Sequence, residues 1–251
     1  VEKLANDGFK LLITVDCGIS SADLIKEFQG KIDIIVTDHH TPPENLPQCI
    51  AVLNPHQSDC GYPYKELAGC GVAFTLCRGL MLKKYGVSYT DNIELAALGT
   101  IADVVSLTGE NRIIVKEGMK RFLSTPVKGL FALIQAAGLI KDTTQSITHA
   151  EDTPSPPSFG LAPRLNAAGR ISHAKEGVEL MITDSTQEAQ QLAERLCSTN
   201  VTRREIEKDI CTQAEERIKQ LGIEKDMAIV VDGPNWHPGV IGIVASRILD
   251  E

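Results

Sequence analysis

The chain has 251 residues, of which 43% are hydrophobic and 23% charged, and its formal net charge is −8. This is the composition of a globular protein, without any apolar run long enough to span a membrane and without the excess of positive charge typical of a general nucleic-acid binder. The seven cysteines form no Cys-x-x-Cys pair, which argues against a zinc ribbon and indicates reduced thiols in a cytoplasmic protein.

The N-terminal half predicts strands and helices in alternation. Short, continuously apolar runs predict strands at residues 11–15, 32–37 and 51–53. The end of a helix closed by Gly8 precedes them, and further helices are predicted at residues 20–30, 68–85 and 93–107. Because the apolar runs are continuous rather than alternating and the connections are short, the pattern predicts an α/β fold with a parallel sheet covered by helices on both faces.

Three polar side chains follow the second strand directly. Asp38, His39 and His40 end the apolar run, and two prolines then stop regular structure. Carboxylate and neutral imidazole are good ligands for divalent first-row metals, so these residues predict a metal site. The alternative is a polar turn in which His39 caps a helix or loop.

Asp16 follows the first strand in the same way. Neighbouring parallel strands lie about 5 Å apart, so Asp16 and His39 are expected at one edge of the sheet, where open α/β sheets bind ligands. The alternative for Asp16 is an Asx-turn ahead of Gly18. Together with the histidine pair, the position favours a metal ligand.

Asp103 is expected in the middle of the apolar helix 93–107. A buried carboxylate without a partner is costly. The partner is a backbone amide at a helix break near Gly99, an arginine or a metal ion. We favour the metal, because Asp16 and His39 need a third ligand.

The C-terminal half predicts mainly helices. These are expected at residues 112–123, 127–138 and, as one long charged helix that could connect two domains, 185–221. A loop rich in Thr, Ser and Pro is predicted at 141–158, and a strand at 227–231.

Two segments of this half suit an anion. Arg164, Asn166 and Arg170 lie among small residues that allow close approach of a ligand, and arginine binds phosphate in a bidentate manner. A glycine-rich helix start follows His237 and continues to Ser246 and Arg247. The alternative for Arg164 and Arg170 is that they form structural salt bridges. The alternative for the second segment is an ordinary strand-turn-helix.

Taken together, these motifs resemble the DHH phosphoesterase superfamily and, within it, the RecJ-type exonucleases specific for single-stranded DNA. The short motifs that carry the resemblance stand in this order over almost the whole chain: Val15–Gly18, Thr37–His40, Gly99–Val105, Pro163–Arg170 and Trp236–Arg247.

The resemblance implies a DHH domain at residues 1–184, a connecting helix at 185–221 and the start of a smaller DHHA1-type α/β domain at 222–251. It implies a hydrolase with 5′–3′ exonuclease activity on single-stranded DNA, acting in DNA repair and recombination with two divalent ions, Mn²⁺ or Mg²⁺. Other repair or replication proteins are expected as partners, and a membrane is not.

Roles for individual residues also follow from the resemblance. Asp16, His39 and Asp103 would bind the metals, Asp38 would orient the site and His40 would face the scissile phosphate. Six residues of the two C-terminal segments would hold the substrate phosphates: Arg164, Asn166, Arg170, His237, Ser246 and Arg247. The reaction would be in-line attack of hydroxide on the phosphodiester, with the metals stabilising the attacking and leaving oxygens.

The sequence departs from this family at its start. The Asp-x-Asp motif that supplies further metal ligands is absent, so we expect a fragment that also lacks part of the second domain, and an incomplete metal site would make it inactive. Two alternative functions remain open. One is a phosphodiesterase for short oligonucleotides or cyclic dinucleotides, and the other is a non-catalytic scaffold. The presence of the candidate metal ligands argues against a scaffold, because a non-catalytic relative would be expected to lose them.

Overall fold

The computed structural model describes residues 1–140, 160–223 and 226–250 and contains two compact units. The first unit is Val1–Ser124, and the second contains the described residues from Thr125 onwards. The loop predicted at residues 141–158 lies outside the described residues. Across the three described ranges, no helix combines the length and the apolar character that crossing a membrane requires.

The first unit is built on a parallel sheet in the order β1-β2-β3. Its strands are β1 (Leu11–Val15), β2 (Asp33–Thr37) and β3 (Ala51–Leu53). In the register, Val15 lies opposite Thr37, which lies opposite Leu53. The three strands therefore end at one edge of the sheet, as predicted from their short connections.

Helices pack on both faces of this sheet. The helices of this unit are α1 (Glu2–Asn6), α2 (Ala22–Glu27), α3 (Gly69–Tyr85), α4 (Ile93–Ala102) and α5 (Gly109–Arg121), followed by a 3₁₀ turn at Phe122–Ser124. On one face, Ile34 and Val36 of β2 pack against Ile25 of α2. On the other, Leu53 packs against the core formed by α3, α4 and α5. The predicted α/β architecture is confirmed in this unit.

The second unit is organised around one long helix. Its helices are α6 (Lys128–Ala136), α7 (Ala162–Ile171), α8 (Lys175–Ile182), α9 (Thr186–Leu221) and α10 (Pro238–Asp250). The other four helices all contact α9. The Ser185 side chain accepts a hydrogen bond from the Glu188 amide at 3.2 Å, and Gly222 ends α9 in the left-handed conformation. These two caps fix the ends of α9, so the long helix predicted at residues 185–221 is confirmed.

Two predicted elements differ from the structure. The helix expected at 93–107 ends at Ala102, because Val104 turns the backbone with a φ of +59°. Residues 227–231 do not form a strand, since no neighbouring strand is present in the described part of the chain to pair with them. The predicted domain boundaries stay predictions, and the compact units divide the chain elsewhere, after Ser124.

Candidate metal centre

The site lies where the three strands end. The Asp16 amide donates to the Thr37 carbonyl at 3.0 Å, and the Asp38 amide donates to the Leu53 carbonyl at 3.0 Å. Backbone pairing thus continues one residue beyond β1 and β2 and fixes the backbone of both aspartates at this edge. Asp16 then takes a φ of +63°, a backbone conformation that non-glycine residues adopt mainly in turns.

Two carboxylates converge on one buried imidazole nitrogen. Nε2 of His39 lies 3.0 Å from Oδ1 of Asp16 and 3.4 Å from Oδ2 of Asp103. Despite these short distances, Nε2 is buried and makes no hydrogen bond within the described residues. One imidazole nitrogen close to two carboxylate oxygens is a set of donor atoms that suits a divalent cation. The donor set therefore fits a metal.

His40 completes this group. Ligand atoms of Asp16, His39 and His40 lie within 4.8 Å of one another, and the two imidazole rings meet edge to face with centroids 4.6 Å apart. Asp103 joins them from the end of α4. It is a partly exposed residue at the helix C-terminus rather than a buried one within the helix, so the expectation of a buried carboxylate was wrong. The structure nevertheless places it beside His39.

Asp38 is buried behind the cluster and organises it. Its Oδ2 accepts a hydrogen bond from the Ile19 amide at 2.9 Å, and its Oδ1 accepts one from the His39 amide at 2.8 Å and one from the His40 amide at 3.2 Å. The same Oδ1 lies 2.7 Å from Nδ1 of His40. Asp38 thus fixes the backbone that carries both histidines and the orientation of the His40 ring.

The electrostatics follow from burial and from the crowding of carboxylates. Burial raises the pKa of Asp16, His39 opposes this, and the negative charge of Asp103 adds to it. Burial would also raise the pKa of Asp38, but the hydrogen bonds from Ile19 and His40 outweigh it and lower that pKa. The hydrogen bond to Asp38 raises the pKa of His40. A cation would relieve the repulsion between Asp16 and Asp103.

Two contributors were missed by sequence reasoning. A Cβ at Gly69 would lie 2.2 Å from Oδ1 of Asp16, so only glycine lets α3 begin against this carboxylate. Asn54 follows β3, is buried, and donates to the His40 carbonyl at 2.8 Å. Its position at the end of the third strand was the available signal, because all three strands deliver their last residues to the same edge.

Comparison with known proteins finds similarity over almost the whole chain. Residues 1–100 match the DHH family, N-terminal domain. The single-stranded-DNA-specific exonuclease RecJ of Bacillus subtilis (strain 168) is 41% identical over 246 residues, which are 97% of this chain and 29% of that protein. The RecJ of Haemophilus influenzae is 40% identical over 264 aligned positions, covering 100% of this chain and 44% of that protein.

The similarity to the DHH family, N-terminal domain, covers residues 1–100. A crystal structure of exonuclease RecJ bound to manganese superposes with a TM-score of 0.80 at 34% identity, covering 100% of this chain and 61% of the other. RecJ of Thermus thermophilus in complex with Mn²⁺ gives a TM-score of 0.81 at 35% identity, covering 100% of this chain and 36% of the other. The chain spans less than half the length of the curated relatives named above.

The six phosphate-binding candidates of this chain all lie in the second unit, on α7 and α10 and just before α10. Arg164 donates to the Gly160 carbonyl and to Cys197 at 3.3 Å, and Arg170 donates to the Gly239 carbonyl at 3.2 Å. Arg247 pairs with Glu207 at 2.9 Å. Among ion pairs between described residues, Arg247 has one and Arg164 and Arg170 have none, although a structural ion pair was the alternative considered for Arg164 and Arg170.

Of the remaining three candidates, His237 and Ser246 make local contacts. The Gly239 amide donates to Nδ1 of His237 at 3.1 Å, and the Ser246 hydroxyl donates to the Gly242 carbonyl at 3.2 Å. Asn166 is exposed on α7. Their roles toward a substrate stay predictions.

Cys70 lies on α3, and we expect its thiol to react more slowly than the thiols of Cys17 and Cys77. Burial raises the pKa of its thiol to about 11, so about one thiol in a thousand is ionised at pH 8, and the thiolate is the nucleophile. Cys17 and Cys77 are exposed. Iodoacetamide labelling at pH 8, followed by mass spectrometry, should modify Cys17 and Cys77 well before Cys70. Labelling of Cys70 at the rate of Cys77 would contradict this.

Proposed function

We propose that this protein is a divalent-metal-dependent 5′–3′ exonuclease that hydrolyses phosphodiester bonds of single-stranded DNA in repair and recombination. The observation that carries the proposal is the convergence of Asp16 and Asp103 on the unsatisfied Nε2 of His39. Relatives that match nearly the whole chain are named single-stranded-DNA-specific exonucleases, and solved RecJ structures carry Mn²⁺ or Mg²⁺.

Two ions, Mn²⁺ or Mg²⁺, would be held by Asp16, His39 and Asp103. When bound, such ions supply positive charge to the phosphoryl oxygens and to the attacking water. The chain itself positions the donors: the end of β1 fixes Asp16, the end of α4 fixes Asp103, and Asp38 fixes the backbone of His39.

The side chain of His40 would contact the scissile phosphate. With Nδ1 donating to Asp38 at 2.7 Å, its Nε2 is left to contact a phosphate oxygen or to hold a proton there. The ring is therefore oriented before a substrate arrives, which lowers the cost of placing it in the reaction. Asp38 acts through His40 and is a positioning residue in this proposal.

The proposed function also bears on the location and the protein partners of the enzyme. Its substrate class implies a cytoplasmic location and partners among other repair or replication proteins. The chain outside the first unit would contribute phosphate contacts through Arg164, Asn166, Arg170, His237, Ser246 and Arg247.

Replacement of His39 by alanine tests the proposal. We expect Mn²⁺-dependent digestion of a long single-stranded DNA by the native protein to fall at least about 100-fold, because loss of a ligand should cost more than loss of a residue that only orients one. Substrates labelled at the 5′ or the 3′ end report the polarity, and calorimetry reports weakened Mn²⁺ binding.

The matched control is His56→Ala, since His56 is an exposed histidine of the same unit. It should leave both readouts unchanged. Digestion restricted to short oligonucleotides or cyclic dinucleotides would replace the exonuclease proposal with the small-substrate alternative. A native protein that neither binds Mn²⁺ nor cuts DNA would support the scaffold alternative.

A further inference from the structure

A second cluster of charged residues lies in the second unit, along α9 and the facing side of α10. It lines an open groove of about 560 Å³. The charged residues of this groove, called here the α9 groove, are Arg203, Arg204, Glu207, Lys208, Glu215 and Arg247. Four cations face two carboxylates in a protein whose net charge is −8, so the groove differs in sign from the chain as a whole.

One carboxylate is shared between two arginines. Oε1 of Glu207 lies 2.9 Å from Nη1 of Arg247, and its Oε2 pairs with Nη1 of Arg203. Arg203 is buried and also donates to Oδ1 of Asn200 at 3.2 Å. Glu207 thereby connects α9 to α10 and holds the Arg247 guanidinium at the groove.

The positive charge exceeds what Glu207 can balance. Arg204 and Lys208 are exposed and form no ion pair within the described ranges. Burial lowers the pKa of Arg203, Glu207 opposes this, and the positive charges of Arg204 and Arg170 lower it further. Like charges are thus close enough to repel one another, and an anion in the groove would offset that repulsion.

We propose that the α9 groove binds neighbouring backbone phosphates of a single nucleic-acid strand, with Arg204 and Lys208 as direct contacts beside Arg247. This rests on the proposed function and adds two contacts that its metal centre does not require. Arg204 and Lys208 are four positions apart on α9 and therefore lie on the same side of the helix. Charges spread along an open groove suit an extended chain of phosphates better than one free phosphate.

The test is binding of fluorescein-labelled oligo(dT) of about 20 nucleotides in EDTA, followed by fluorescence anisotropy. Without metal no digestion occurs, so binding is measured separately from catalysis. We expect Arg204→Gln and Lys208→Gln each to weaken binding about fivefold and to reduce the slope of log K against log salt by about 0.7, the value for one lost phosphate contact on a single strand. Both side chains are exposed, so folding should be unaffected.

Arg195→Gln is the matched control. Arg195 is an exposed arginine on the same helix, and it lies about two and a half turns from Arg204, on the opposite side of α9. Its replacement should change neither affinity nor salt slope. Equal effects of all three substitutions, or none from Arg204 and Lys208, would overturn the proposal. Complete competition by millimolar inorganic phosphate, with no dependence on oligonucleotide length, would also overturn it in favour of a single-phosphate site.

Failure of this proposal is distinguishable from failure of the exonuclease. His39→Ala should abolish digestion while leaving oligo(dT) binding in EDTA intact. If the groove variants bind like the native protein and digestion still depends on His39, the groove proposal fails and the proposed function stands. If the groove variants lose binding but the native protein never digests DNA, the proposed function fails and the strand-binding groove stands.

Discussion

Replacement of Asp38 by asparagine is expected to lower the free energy of unfolding by about 3 kcal/mol at pH 7, since it leaves buried donors without an acceptor. The Asp38 side chain is 1% exposed. Its two oxygens accept from the Ile19 amide on one side and from His39 and His40 on the other. An asparagine amide group must face one of these sets, where donor would then oppose donor. Urea unfolding followed by circular dichroism measures the loss.

The same substitution should reduce activity. Asp38 holds the His40 ring and the His39 backbone, and residues that orient metal ligands typically contribute about 10–100-fold to metal affinity or activity. We therefore expect Mn²⁺-dependent DNA digestion to fall within that range. Asp33→Asn is the control, because Asp33 is an exposed aspartate at the start of the same strand. It should change stability by no more than about 0.5 kcal/mol.

The stability difference between native protein and Asp38→Asn should depend on pH in a defined direction. The pKa of Asp38 is lowered in the folded protein, so its ionised form stabilises the fold. This contribution is fully present above the unfolded pKa of about 3.9 and is lost as pH falls through the lower folded value. The difference should be largest near neutral pH and shrink below about pH 4. A difference that grows on acidification would show that the carboxylate is not stabilising.

Replacement of Gly129 by alanine is expected to destabilise the second unit by about 3 kcal/mol, near the upper range for overpacking a core. A Cβ at Gly129 would lie 1.6 Å from the carbonyl oxygen of Leu180. That atom belongs to the backbone of α8 and cannot rotate away, so α6 and α8 would have to separate. Leu130, Leu133 and Leu180, all fully buried, would lose packing as a result.

Gly242→Ala is the matched control for this prediction. Gly242 lies inside α10 in the same unit, and a Cβ there would meet no atom within 4 Å. Because alanine favours a helix interior by about 1 kcal/mol over glycine, this variant should be more stable than the native protein. Urea unfolding midpoints should therefore move in opposite directions. Equal shifts of both variants would mean that helix propensity, rather than the contact of α6 with α8, controls the result.

Much of the first unit could be predicted from local pattern. The strands at 11–15 and 51–53 have the bounds expected, and the second begins one residue later than expected. Continuous β-branched runs leave little alternative to a buried parallel strand. The sequence also placed Asp16 beside His39, since consecutive parallel strands end at one edge. Whether these residues bind metal in this protein stays a prediction, tested by the His39 variant.

The sequence by itself determined the strands of the first unit and the long helix α9, because apolar pattern and capping residues act over short distances. This holds for α9, whose limits follow from Ser185 and Gly222. The tertiary structure alone decided which residues complete each site. The end of α4 brings Asp103 to His39, Gly69 lets α3 approach Asp16, and Glu207 joins α9 to α10. Such contacts depend on helix packing between residues far apart in sequence, and no local pattern specifies them.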